Sequence, residues 1–218
     1  MKTVALVGFS PRTMQYADEL PEETEIWTLN WAWKHNLPRI DRLFEIHDEA
    51  YLAQNNAVSI AHWEWLREEQ AFPIYMLPEA HPDVPSSQRY PFDEIVAKYL
   101  SGLRRGDEVQ RVFTSTFDYM MALAIYEGVE RIQLLGIEME SDTEYAYQRP
   151  GMAFWMGMAV AQGIEVWQHP DSQLFRPRVY HQGGQMIGRQ TIEAHKNSHE
   201  LAQQQLLGGY NAAQGRFD

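Results

Sequence analysis

Short apolar runs alternate with longer stretches of helical spacing along nearly the whole chain. "TVALVGF" (3–9) is a continuous apolar run ended by a turn, the pattern of a strand buried on both faces. Further strands are predicted at "EIWTLNWAW" (25–33, with its exit loop), "RLFEIHD" (42–48), "FPIYML" (72–77), "RIQLLGIEME" (131–140) and "EVWQH" (165–169). Between them, residues 10–20, 59–70, 93–103, 113–129 and 149–164 read as helices. Ser10 is a natural cap for the first of these, and Pro11 sits at the first helical position, where a missing N–H costs nothing. Residues 78–95 hold four prolines and little periodicity, which predicts a long loop.

This alternation implies an α/β domain over residues 1–175, with a mostly parallel sheet of about six strands and helices on both faces. From Arg176 the chain turns polar. Residues 176–218 are expected to form a C-terminal helical tail, able to dock on a second copy in a homo-oligomer.

Composition narrows the partners. The 218 residues carry a formal net charge of -12, which disfavours binding to the phosphate backbone of duplex nucleic acid. The absence of cysteine excludes a disulfide framework, a thiolate metal site and a thiol nucleophile, and suits a cytoplasmic location. The N-terminus carries no signal-peptide pattern, and no apolar run reaches the roughly 18–20 residues needed to span a bilayer.

In open parallel sheets, ligands bind beyond the carboxyl ends of the strands, so the residues after each strand are the candidate site. Gly8, Ser10, Arg12 and Thr13 follow the first strand. A turn at a helix N-terminus can bind phosphate through its N–H groups, with Arg12 adding a bidentate contact; an ordinary capped turn fits the same residues. Asn30, Trp31 and Trp33 follow the second strand. In "FEIHD", Glu45 and His47 share one strand face. With no second histidine at close spacing, an acid/base role for His47 is favoured over a metal site. Thr114, Ser115 and Thr116 open the longest apolar helix with two hydroxyls more than a cap needs. "EYAYQRP" sets Tyr145 and Tyr147 two apart, where an extended loop would turn both to one ligand, with Arg149 close behind. His169 stands at the end of the sixth strand. His62, His195 and His199 are expected on helix surfaces.

"VALVGFSPRT", "TLNWAW", "FTSTFDYMMALAIYEGVERIQLLGIEME" and "EYAYQRPGMAFWMGMAVAQGIEV" together resemble a group of short phage-borne and bacterial proteins. The order of parts is also similar to two better understood groups. These are the bacterial sialyltransferases that use CMP-sialic acid, and the motility accessory factor and 6-hydroxymethylpterin pyrophosphokinase-like group. The resemblance covers roughly residues 3–175 and implies a Rossmann-like fold. It places Gly8, Ser10 and Thr13 near a nucleotide, and Asn30 on its phosphate or sugar. Thr114, Ser115 and Thr116 would line the donor pocket, and Gly136 and Glu138 of the "Leu-Leu-Gly-Ile-Glu" unit join this binding set. Tyr145 and Tyr147 would approach the leaving phosphate, supported by Arg149, and His169 is the nearest candidate for the sialyltransferase base. The sequence departs from the pattern at Ser10 and Thr116, where those enzymes carry glycine.

The resemblance implies a nucleotide-dependent transferase, glycosyltransferase-like, with a nucleotide-sugar donor and no resident cofactor or metal. Two alternatives stand beside it. One is a pyrophosphokinase-like ATP enzyme, with Mg²⁺ held by Glu138, Glu140 or Asp142. The other is a non-catalytic nucleotide-binding module.

Overall fold

Strand β1 (Thr3–Val7) is buried along its whole length, with Val4 and Leu6 turned to one face of the sheet and Ala5 and Val7 to the other. Such a strand needs cover on both sides, and the chain supplies it. The computed structural model describes residues 1–47, 56–139 and 145–175, all within the unit Met1–Phe175. The tail from Arg176 therefore lies outside the described residues, as do Asp48, Glu140 and Asp142.

After β1 come α1 (Pro11–Met14), a 3₁₀ segment (Gln15–Glu19), β2 (Glu25–Leu29), a 3₁₀ turn (Ala32–Lys34) and β3 (Arg42–Phe44). Then follow α2 (Ala57–Arg67), β4 (Ile74–Met76), β5 (Ser87–Arg89), and α3 (Phe92–Ile95), which runs on into a π-helical turn (Val96–Leu100). A two-stranded antiparallel hairpin, β6 (Arg104–Arg105) with β7 (Glu108–Val109), precedes α4 (Thr116–Tyr126). The described chain ends with β8 (Arg131–Leu135), α5 (Tyr145–Ala161) and β9 (Glu165–Gln168).

Seven strands form one sheet in the order β5-β4-β3-β2-β1-β8-β9, and every neighbouring pair is parallel. The fold is Rossmann-like α/β. The seventh strand lies inside the predicted proline loop. There Ser87–Arg89 pairs with β4, and the flanking Val84 and Tyr90 are buried. Its own residues are polar and half-exposed, as an edge strand allows, so periodicity gives no sign of it. Among the described residues, no helix is long and apolar enough to cross a membrane.

Helix α4 is the centre of the larger core. Residues 120–125 are all buried, as expected of a helix apolar on every side, and it packs on β1, β3, α3 and α5. On the other face of the sheet, Ala17, Met14 and Leu20 cover Ala5, Val7 and Ile26.

The strand order turns at β1, because β2 leaves on one side and β8 returns on the other. Just beyond these strands, the two chains touch backbone to backbone. Gly8 N donates to Leu135 O at 2.9 Å and Ser10 N to Gly136 O at 2.9 Å. A Cβ on Gly8 would lie 2.5 Å from the Gly136 oxygen and 2.7 Å from the Phe117 ring, and one on Gly136 would fall on the Gly8 carbonyl. Gly136 also has φ +65°, a left-handed conformation that costs any other residue. Thr13 Oγ1 accepts from Gly136 N at 2.7 Å and closes the junction from α1. Gly136→Ala is therefore expected to lose about 2 kcal/mol or more of unfolding free energy, from overpacking and backbone strain together. Urea unfolding measures this, and a loss within about 0.5 kcal/mol would contradict the close approach.

Candidate functional site

The reversal of strand order at β1 opens a crevice beyond the carboxyl ends of the strands, the place where such sheets bind ligands. A cleft of about 740 Å³ occupies it. Ser10 enters it after β1, Asn30 and Trp31 after β2, His47 after β3, Thr114–Thr116 at the start of α4, and Gly136 and Glu138 after β8. Elements far apart in sequence thus bring most of the predicted binding residues to one place. Its walls are apolar and largely aromatic, with Phe9, Leu29, Phe113, Phe117 and Tyr119 among them.

Among the described residues, one polar atom of the cleft, Asn30 Oδ1, is buried without a partner, while Ser115 and Asp118 form the capping box of α4. An unpaired buried polar atom costs about 1–3 kcal/mol, so such atoms are uncommon and call for an explanation. Asn30 is moreover in a left-handed conformation (φ +39°), which turns the chain sharply after β2 while its N–H continues the ladder to Phe44 O at 3.0 Å.

The N-terminus of α4 is held by Asp118. Its Oδ2 accepts from Thr114 N (2.6 Å), Thr114 Oγ1 (2.9 Å) and Ser115 N (3.1 Å). Burial nevertheless raises the Asp118 carboxyl above the usual range, outweighing these bonds. Gly151 of α5 makes this packing possible, since a Cβ there would collide with Thr114 Oγ1 and lie 2.5 Å from Asp118 Oδ2.

Behind His47 lies a buried chain of polar groups. Glu45 is fully buried and follows β3. Its Oε1 is 2.6 Å from His47 Nδ1, and its Oε2 is 2.7 Å from His62 Nε2. Trp33 Nε1 donates to His62 Nδ1 at 2.9 Å. Burial opposes ionisation of Glu45, but the hydrogen bonds from His47 and His62 outweigh it and hold the carboxyl below its ordinary value.

Other predicted residues stand elsewhere. Gly8 makes room for the Gly136 carbonyl and the Phe117 ring rather than for a ligand. Thr13 is buried in the junction and bonded to Gly136 and, at 3.3 Å, to Glu138 Oε1. Glu138 also accepts from Gln173 N at 2.5 Å, so its carboxylate ties α1 and the segment after β9 to β8. Arg12 is exposed at the edge of this group, 4.0 Å from Glu138, and does not line the cleft. Arg149 Nη2 donates to the carbonyls of Glu138 (3.1 Å) and Gln173 (2.9 Å), which is a bracing role. His169 stacks on Tyr16 (centroids 3.8 Å apart) and accepts from Asp171 N at 3.2 Å, outside the cleft lining.

The expected extended loop at Tyr145–Tyr147 is helical. Helix α5 starts at Tyr145 and carries Pro150 inside it, so two residues two apart do not share a face, and Tyr147 is 84% exposed. The side chain of Tyr145 lies outside the described residues, as do His195 and His199. His62 is buried, not on the surface. The spacing of Ser59, His62 and Leu66, the buried residues of α2, places them on one helical face and was the available signal.

No protein-family model matches the chain, and a comparison with curated proteins gives no match. Solved structures do share its fold. A point variant of the sialyltransferase CST-II in complex with CMP superposes with a TM-score of 0.50 at 17% identity, over 80% of this chain and 84% of that one. The monofunctional alpha-2,3-sialyltransferase Cst-I from Campylobacter jejuni gives 0.48 at 14% identity, over 95% and 96%. Thiamine pyrophosphokinase from Bacillus subtilis gives 0.42 at 12%, over 77% and 60%.

The Glu45 environment has a pH consequence. Its carboxyl is depressed in the folded state, so the unfolded chain binds more protons as the pH falls. The stabilisation is present above the ordinary carboxylate value and is lost on acidification through the folded one. The stability difference between the parent and Glu45→Gln should therefore shrink between about pH 6 and pH 3 in parallel urea titrations. A difference that stays constant or grows would contradict this environment.

Proposed function

We propose that the chain is a nucleotide-dependent transferase of the glycosyltransferase type, with a nucleotide-sugar donor in the cleft beyond β1 and β8. The observation that carries this reading is Asn30 Oδ1, buried in the cleft with no partner among the described residues. Asn30 Oδ1 lacks a donor, which a sugar hydroxyl or a base amino group of the nucleotide sugar supplies. The CST-II structure that shares the fold is bound to CMP, which makes a cytidine nucleotide sugar the first donor to test.

The chemistry follows from the groups in the cleft. The acceptor hydroxyl oxygen attacks the anomeric carbon as the bond from that carbon to the phosphate oxygen breaks. His47 takes the hydroxyl proton. Charge gathers on the departing nucleoside phosphate, where the N-terminus of α4 and the hydroxyl of Thr116 offer donors. Arg149 and Tyr147 take no part in this scheme, since the first braces backbone and the second is exposed.

Titration calorimetry with CMP and CMP-sugars, beside ATP with Mg²⁺, tests the reading. Asn30→Ala should weaken CMP-sugar binding by about 1 kcal/mol, the net value of a hydrogen bond. His47→Gln should bind within about twofold of the parent yet lose on the order of a hundredfold or more in transfer. Binding of ATP with Mg²⁺ alone would redirect the reading to phosphoryl transfer, and no nucleotide binding would refute it.

A further inference from the structure

The chain Trp33–His62–Glu45–His47 joins three elements: the turn after β2, the end of β3, and α2. All of it is buried or partly buried, in aromatic surroundings where Trp31 stands 4.3 Å from the His62 ring. Packing alone does not account for it, because apolar side chains would fill such positions without the cost of burying a carboxylate.

We propose that Trp33, His62 and Glu45 are positioning residues that fix the proton of His47 on Nδ1 and so make Nε2 its basic nitrogen. This rests on the reading of His47 as the proton acceptor.

The direction of the chain follows from its first member. An indole N–H can donate and cannot accept, so His62 Nδ1 must be the acceptor of the 2.9 Å bond from Trp33. The proton of His62 is then on Nε2, and it points at Glu45 Oε2, 2.7 Å away. The other carboxylate oxygen takes the His47 Nδ1–H at 2.6 Å, and His47 N lies 3.3 Å from the same atom. Both imidazoles thus donate to the one carboxylate of Glu45. When His47 Nε2 takes a proton, its Nδ1–H stays on Glu45, and the imidazolium forms beside the carboxylate. His62 cannot share that positive charge while its Nδ1 holds the indole proton donor.

Nitrogen-15 NMR of the full chain with labelled histidine reads the tautomers directly at one neutral pH. The parent should show His62 protonated on Nε2 with an unprotonated Nδ1, and His47 protonated on Nδ1. Trp33→Phe should give a mixed tautomer at His62, and Glu45→Gln a mixed tautomer at His47. Glu45→Gln should also lower the transfer rate by on the order of a hundredfold, with donor KM within about twofold. His62 protonated on Nδ1 in the parent would overturn the proposal, as would a single unchanged His47 tautomer in folded Glu45→Gln. The parent spectrum decides even if a variant does not fold. Parent tautomers as stated, in a chain that binds no nucleotide sugar, would uphold the positioning chain and refute the transferase reading alone.

Discussion

The backbone contact between Gly8 and Gly136 is the constraint on which the rest of the structure depends. Two parallel strands that are neighbours in the sheet but whose paired residues, such as Val7 and Leu135, are 128 positions apart in sequence end at the same height, and their exits are locked by hydrogen bonds with no side chain between them. This places the start of α1 and the residues after β8 side by side. Thr13 and Glu138 then bind across the junction, and Gln173 and Arg149 extend the same lattice to the segment after β9 and to α5. The cleft is what remains open on the other side of this closure.

Two different electrostatic solutions operate around the cleft. At the start of α4, a buried carboxyl accepts the N–H groups of Thr114 and Ser115 just before the helix, yet desolvation raises its proton affinity. Near β3, a fully buried carboxylate takes hydrogen bonds from two imidazoles, and these outweigh its desolvation. The first arrangement organises a helix terminus. The second directs a histidine at the rim of the cleft. Between them, Asn30 presents a buried amide oxygen that nothing in the described chain satisfies. Pre-formed apolar walls with a few unsatisfied polar groups are what a binding site needs before its ligand arrives.

The sheet was largely legible in the sequence because its strands are buried on both faces and read as apolar runs. β5 was not, since an edge strand of Ser87, Gln88 and Arg89 carries no such run. The cleft set at Ser10, Asn30, His47 and Thr114–Thr116 was legible from position alone, because in a parallel sheet the residues after successive strands must converge. Arg12, Arg149 and His169 were misplaced for a common reason: polar residues close to strand ends are also the ones that tie loops together, and only geometry tells bracing from binding. The run at Tyr145–Tyr147 read as a loop because the predicted helix began only at residue 149. The link from Glu45 to His62 spans 17 positions and two elements, so no local pattern discloses it.

The central claim is that the cleft at the β1/β8 reversal holds a nucleotide. Backbone-amide shift mapping during titration with CMP tests it most directly. The shifted amides should cluster at Ser10, Asn30, Trp31, Ser115–Phe117 and Ile137, with amides elsewhere in the sheet unmoved. Shifts centred instead on the separate hollow around Val96, Ser101 and Arg111, or no shifts at millimolar CMP, would contradict it.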